Sequence, residues 1–166
     1  MKRTEFGVIE KNCYPKAILH DIRISGISFD ESGISFLFKD GIAVKELTDE
    51  TTDQYAYFRT KEAAILIDGC SSDEMLCRIS YRFPLFGRVY YFCRDLEPKH
   101  FIKLLKKRQL EVIDEFYSGF QLLWRGEVYP YNRGRLCTQF EIMIYHENEI
   151  TYCWNEEEQG KKSAFN

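Results

Sequence analysis

Apolar residues recur at every second position through most of this chain, in short runs broken by glycine, proline, asparagine or aspartate, and this period of two restricts the fold most. Side chains alternate across a strand, so each run reads as a strand with one face turned to a core. Ile22 and Ile24, then Ile27 and Phe29 after a parity change at Gly26, read as one bent or bulged strand, because glycine admits the extra residue. Ile34, Phe36 and Phe38 follow the turn at residues 30–33. Asp40-Gly41 carries a hairpin signal towards Ile42 and Val44, which predicts a three-strand meander.

Residues 48–54 are polar and acidic and read as a loop. Strands are expected near 55–59 and 62–67, and then a hairpin of 77–83 and 88–94 joined across Pro84 to Gly87. The period then changes. From Glu97 to Arg108 the apolar residues Phe101, Leu104 and Leu105 fall at helical spacing, with Asp95 placed to cap and Pro98 tolerable in a first turn. Strands resume near 111–117, 120–124, 127–131, 136–146 and 150–154. The pattern predicts an α+β protein, mostly antiparallel β: a meandering sheet or partly closed β-barrel, with one main helix at about 97–108 packed on it. Residues 1–154 are expected to form one domain and 155–166 a mobile polar tail. Gly26, Gly33 and Gly41 repeat in spacing as Gly119, Gly126 and Gly134, which fits glycine at each hairpin turn or a duplicated meander.

Composition agrees with strands. Aromatic residues make up 16% of the 166 positions, including 13 Phe and 11 Tyr, and flat rings suit a pleated, half-buried surface. With 45% hydrophobic residues and a net charge of -3 the chain can bury a core, which excludes a disordered class. The small net charge conceals blocks. Residues 1–77 hold 9 basic against 14 acidic side chains, 78–135 hold 12 against 6, and 136–166 hold 2 against 6. Arg78 and Arg82 lie on one strand face, and Lys99, Lys103, Lys106 and Lys107 along the helix. Together they form a basic patch able to steer an acidic partner, or a solvated face whose late lysines complement the helix dipole.

Near the start, Phe6 to Ile9 is cut short by Glu10-Lys11, too brief for a secretory core, and no apolar run approaches the roughly 18 residues of a membrane span. A cytoplasmic protein without membrane contact is expected, its six cysteines reduced, with Cys77 in core register beside Ile79.

The motifs of several chemistries are missing. No two glycines are separated by a single residue, so neither a dinucleotide fingerprint nor a P-loop is present, and Gly-x-Ser-x-Gly is missing too. The three histidines and six cysteines show no tight metal-ligand spacing, and no metal or other cofactor is expected. Cys/His or paired-carboxylate catalysis has no specific signal. Leu85 to Phe92 is similar to the base-stacking strand of RNA-recognition domains, but the basic-glycine start is missing, Arg88 replaces an aromatic position and no helix precedes it. Nucleic acid is therefore disfavoured.

These observations lead to the expectation of a non-enzymatic module that binds another protein, such as an inhibitor or immunity protein neutralising a toxin or enzyme. A β-barrel for a small apolar ligand is the first alternative and a Cys/His or carboxylate hydrolase the second. The expected contact residues are acidic Asp49, Glu50 and Asp53 with aromatic Tyr90, Phe92 and Trp124, the rings serving only where exposed. Oligomeric state is open at this level.

Overall fold

The computed structural model describes residues 6–49, 54–129 and 137–156. The strands are β1 (Val8–Lys11), β2 (Ala17–Ile18), β3 (Ile22–Ile24), β4 (Gly26–Asp30), β5 (Gly33–Phe38), β6 (Ala43–Asp49), β7 (Gln54–Arg59), β8 (Glu62–Asp68), β9 (Met75–Leu85), β10 (Arg88–Leu96), β11 (Gln109–Tyr117), β12 (Gln121–Tyr129), β13 (Cys137–Tyr145) and β14 (Ile150–Asn155). One α-helix, α1 (Pro98–Leu105), joins β10 to β11. Among the described residues all the strand pairings are antiparallel, and the sheets do not close into a barrel.

Five strands form one sheet in the order β1-β14-β8-β5-β4, six form a second in the order β10-β9-β13-β12-β11-β3, and β2-β6-β7 form a third. The two larger sheets turn their apolar faces to a shared core. Phe36 and Phe38 of β5 meet Trp124 of β12 edge-on, with ring centroids 4.7 and 6.1 Å apart. Each such pair adds about 0.5–1.5 kcal/mol to the stabilisation from burial itself. Ala17 and Val44 of the small sheet enter the same core, and Phe101 of α1 packs edge-on to Phe140 of β13 at 6.1 Å.

Several sequence expectations are corrected by this arrangement. The parity change at Gly26 is a change of sheet rather than a bulge: β3 pairs with β11, while β4 pairs with β5. The meander stops at β5, since β6 pairs with β2 and β7 instead. The helix is shorter than 97–108. Glu97 is its N-cap and Pro98 its first residue, because Asp95 is held in β10 by Arg78, Nε to Oδ1 2.7 Å.

The two expected strands around Gly126 are a single strand. A Cβ there would lie 1.9 Å from the Glu111 carbonyl oxygen and 2.7 Å from Phe140, so this glycine permits close backbone approach and marks no turn. It sits beside the irregularity between Val112 and Asp114 in β11. Gly134 and most of the expected tail lie outside the described residues, and with Gly126 inside a strand the glycine spacing gives no support to duplication. No helix among the described residues is long and apolar enough to cross a membrane.

Candidate functional site: an exposed aromatic ribbon

β9 and β10 form a long hairpin in register from Leu96↔Cys77 to Arg88↔Leu85, with no irregularity. Its base belongs to the sandwich: Met75, Cys77 and Ile79 are buried and β13 flanks β9 as far as the Cys137↔Arg82 pair. Beyond that point β9 has no partner but β10 among the described residues. β10 is the edge of its sheet, and its first eight residues are exposed on both faces.

Rings line both faces of this ribbon. On the face that continues from Ile79, Tyr81 stacks with Phe92 and Phe83 with Tyr90, at centroid distances of 6.2 and 5.9 Å, and Leu85 faces Arg88. On the opposite face the Arg82 guanidinium lies 5.4 Å from the centre of the Tyr91 ring, Pro84 faces Val89, and Ser80 Oγ is 3.3 Å from Cys93 Sγ. Tyr90 is 41% exposed, Phe92 55% and Tyr91 69%.

The tip is a two-residue turn, Phe86-Gly87, with φ of 50° and 73°. Positive φ at both positions is what a tight right-twisted hairpin needs, and asparagine or glycine supplies it with least strain. A phenylalanine at the first position is held in a strained region with its ring 92% exposed, so neither backbone geometry nor core packing accounts for it.

The ribbon collects four of the expected site residues, Arg78, Arg82, Tyr90 and Phe92. Arg78 is already engaged: it bonds Asp95 and lies 3.8 Å from Glu141, which in turn binds Arg125 at 2.8 Å. The hydrogen bond from Arg78 holds the Asp95 carboxyl below the usual carboxylate range. Arg78 therefore belongs to a row of alternating charges across the sheet, and Arg82 is the arginine that faces a ring.

The other candidates fall elsewhere. Lys99 is bound to Glu97, Nζ to Oε2 2.5 Å, and Lys103, Lys106 and Lys107 are exposed along α1 and just past its end. Asp49 ends β6, and Glu50 and Asp53 lie outside the described residues. Trp124 is fully buried and is corrected from a surface anchor to a core residue, because its ring faces Phe36 and its Nε1 donates to Tyr117 Oη at 3.1 Å. Sequence reasoning missed Tyr81, Phe83, Phe86, Val89 and Tyr91. Their signal was legible: Val89 to Phe92 is apolar at consecutive positions, which a strand with one solvated face does not need.

Three thiols and one carboxylate sit in surroundings that serve the fold. Burial pushes the thiol of Cys13 up to about 12, Cys70 to about 11 and Cys77 to about 12, the reverse of what a thiolate nucleophile requires. Half-buried Glu115 accepts hydrogen bonds from the Leu19 backbone N–H and the Tyr117 hydroxyl, both at 3.0 Å, and Tyr14 stacks on Tyr117 at 4.2 Å. That cluster ties the segment between β1 and β3 to β11. Among the described residues no three His, Cys, Asp or Glu side chains converge as a metal set.

Fold and site together define an open, antiparallel β protein of two large sheets and one small one that presents an aromatic hairpin at one sheet edge. Comparison with protein-family models, curated proteins and solved structures finds no match.

Proposed function

We propose that this protein is a non-enzymatic binding module that engages another protein through the β9–β10 ribbon, in the manner of an inhibitor or immunity protein that neutralises a toxin or enzyme. The observation that carries this reading is the ribbon itself. A nine-residue edge strand exposes Val89, Tyr90, Tyr91 and Phe92, and its turn holds Phe86 in strain with its ring in solvent. Tyrosine, phenylalanine and arginine are the side chains that anchor protein interfaces, and Arg82 stands beside Tyr91 on one face.

A cytoplasmic setting belongs to the same proposal. Cys13, Cys70, Cys77 and Cys93 are free thiols, which a reducing compartment preserves. The ligand-barrel alternative has lost its support, since the sheets are open and the inward rings Phe36, Phe38 and Trp124 interlock.

The test is recovery of the partner from the native cell with tagged wild type and with the triple variant Phe86→Ser, Tyr91→Ser, Phe92→Ser, followed by titration of the identified, purified partner. Binding to wild type and a loss of at least about tenfold in the variant is expected, given that one anchor ring contributes about 2 kcal/mol. Recovery of the wild type alone, or equal affinity of both forms, overturns the proposal.

A further inference from the structure

The free edge of β10 has a hydrogen-bonding pattern that can be read from the hairpin. With a two-residue turn, Leu85 and Arg88 form the first hydrogen-bonded pair, so Arg88, Tyr90, Phe92, Arg94 and Leu96 direct their backbone groups at β9. Val89, Tyr91, Cys93 and Asp95 direct theirs away from the sheet, where no strand is paired with them among the described residues. Protein edges are usually blunted by proline, charged side chains, a bulge or short length. β10 has no proline or bulge: it is nine residues long, RVYYFCRDL, its register with β9 is unbroken, and its charges, Arg88, Arg94 and Asp95, sit towards its two ends and leave Val89 to Cys93 uncharged.

We infer that β10 pairs antiparallel with β10 of a second copy of this chain, about a two-fold axis through Phe92, joining two six-stranded sheets into one. The inference rests on the ribbon being the contact surface, and it assigns the backbone edge to the second copy while the ring faces stay open. An axis normal to the sheet keeps every side chain on its own face, so a residue can oppose only one of the same parity.

Charge selects among the registers that remain. With the axis through Phe92, Tyr90 faces Arg94 of the other copy, Arg88 faces Leu96, Val89 faces Asp95 and Tyr91 faces Cys93; all nine residues are paired and no like charges meet. The four outward residues then meet one another, so every free N–H and C=O of the edge finds a partner. Moving the axis to Tyr91 opposes Arg88 with Arg94, a repulsive pair. Moving it to Cys93 leaves Arg88 and Val89 beyond the paired strand. A ring against an arginine, as in Tyr90 with Arg94, is attractive where the site is partly desolvated.

The register makes a covalent test available. Phe92 and its symmetry mate form a pair without hydrogen bonds, whose Cα atoms are about 4.5 Å apart, within the span a disulfide bridges. In a Cys93→Ser background, Phe92→Cys is expected to form a disulfide-linked dimer under mild oxidation, and Arg94→Cys to form none. A mixture of Tyr90→Cys with Arg94→Cys should give the mixed dimer. Wild type is expected to sediment at twice the chain mass, and Tyr91→Pro, which removes an outward N–H without touching a bond to β9, at the single mass. A wild type that sediments as a monomer, or cross-linking no faster at position 92 than at 94, overturns the second-copy assignment. The ribbon reading is distinguished by its own experiment: it fails if the serine triple variant binds the purified partner as tightly as wild type, whatever the oligomeric state.

Discussion

If the ribbon is surface and Trp124 is core, truncating rings at the two places must have very different effects on stability. Full burial of a large apolar side chain contributes about 1.5–3 kcal/mol. Phe92 is 55% exposed, so about half of that is at stake, and losing its stacking on Tyr81 adds up to about 1 kcal/mol. Phe92→Ser is therefore expected to lower unfolding free energy by about 1–2 kcal/mol. Trp124→Ala removes a ring with no exposure, its contacts with Phe36 and Phe38 and the hydrogen bond from Nε1 to Tyr117, for an expected loss of about 3–5 kcal/mol. Urea unfolding followed by circular dichroism, under conditions where the chain is monomeric, measures both with one protocol. The reasoning is refuted if Phe92→Ser costs as much as Trp124→Ala, for then the ribbon rings are packed in a core the structure does not show.

Three further outcomes are expected. Gly126→Ala forces a methyl group to 1.9 Å from the Glu111 carbonyl oxygen, so a loss of at least about 2 kcal/mol in the same unfolding assay is expected; a neutral effect contradicts the close approach of β11 and β12. Burial raises the Glu115 carboxyl above its ordinary value of 4.5, so the folded chain binds that proton more tightly than the unfolded one. The contribution of Glu115 is then most favourable below 4.5 and declines as pH rises through the raised value. The stability of Glu115→Gln relative to wild type should accordingly grow as pH rises from 4.5 through the raised value and level off above it, and the opposite slope counts against a desolvated acid. Among the five described cysteines, iodoacetamide should modify exposed Cys93 first and reach Cys13, Cys70, Cys77 and Cys153 only on unfolding, as read by peptide mapping; early loss of a buried thiol contradicts its burial.

The alternation of apolar residues made most strands legible, because one buried face imposes a period of two wherever a strand lies on a core. Partner choice was not legible. A parity change at Gly26 fits a bulge as well as a switch of sheets, and only the pairing of β3 with β11 across the core decides between them. Gly126 resembled a turn because a glycine needed for close backbone approach and one needed for a turn look the same in sequence.

The candidate site was half legible. Tyr90 and Phe92 stood out as rings, but Trp124 stood out in the same way, and exposure depends on where the sheet ends. Arg78 read as a free cation because the alignment of Asp95, Arg78, Glu141 and Arg125 across four strands is a property of register.

The central claim is that the outward edge of β10 is a contact surface, and residue-resolved amide exchange along β10 tests it most directly. In dilute solution without a partner, Tyr90, Phe92 and Arg94 should be protected by β9 while Val89, Tyr91, Cys93 and Asp95 exchange rapidly. On raising the chain concentration the second set is expected to become as slow as the first, and dilution should restore the alternation. Persistence of the alternation at every concentration, or rapid exchange of all seven amides, contradicts the account.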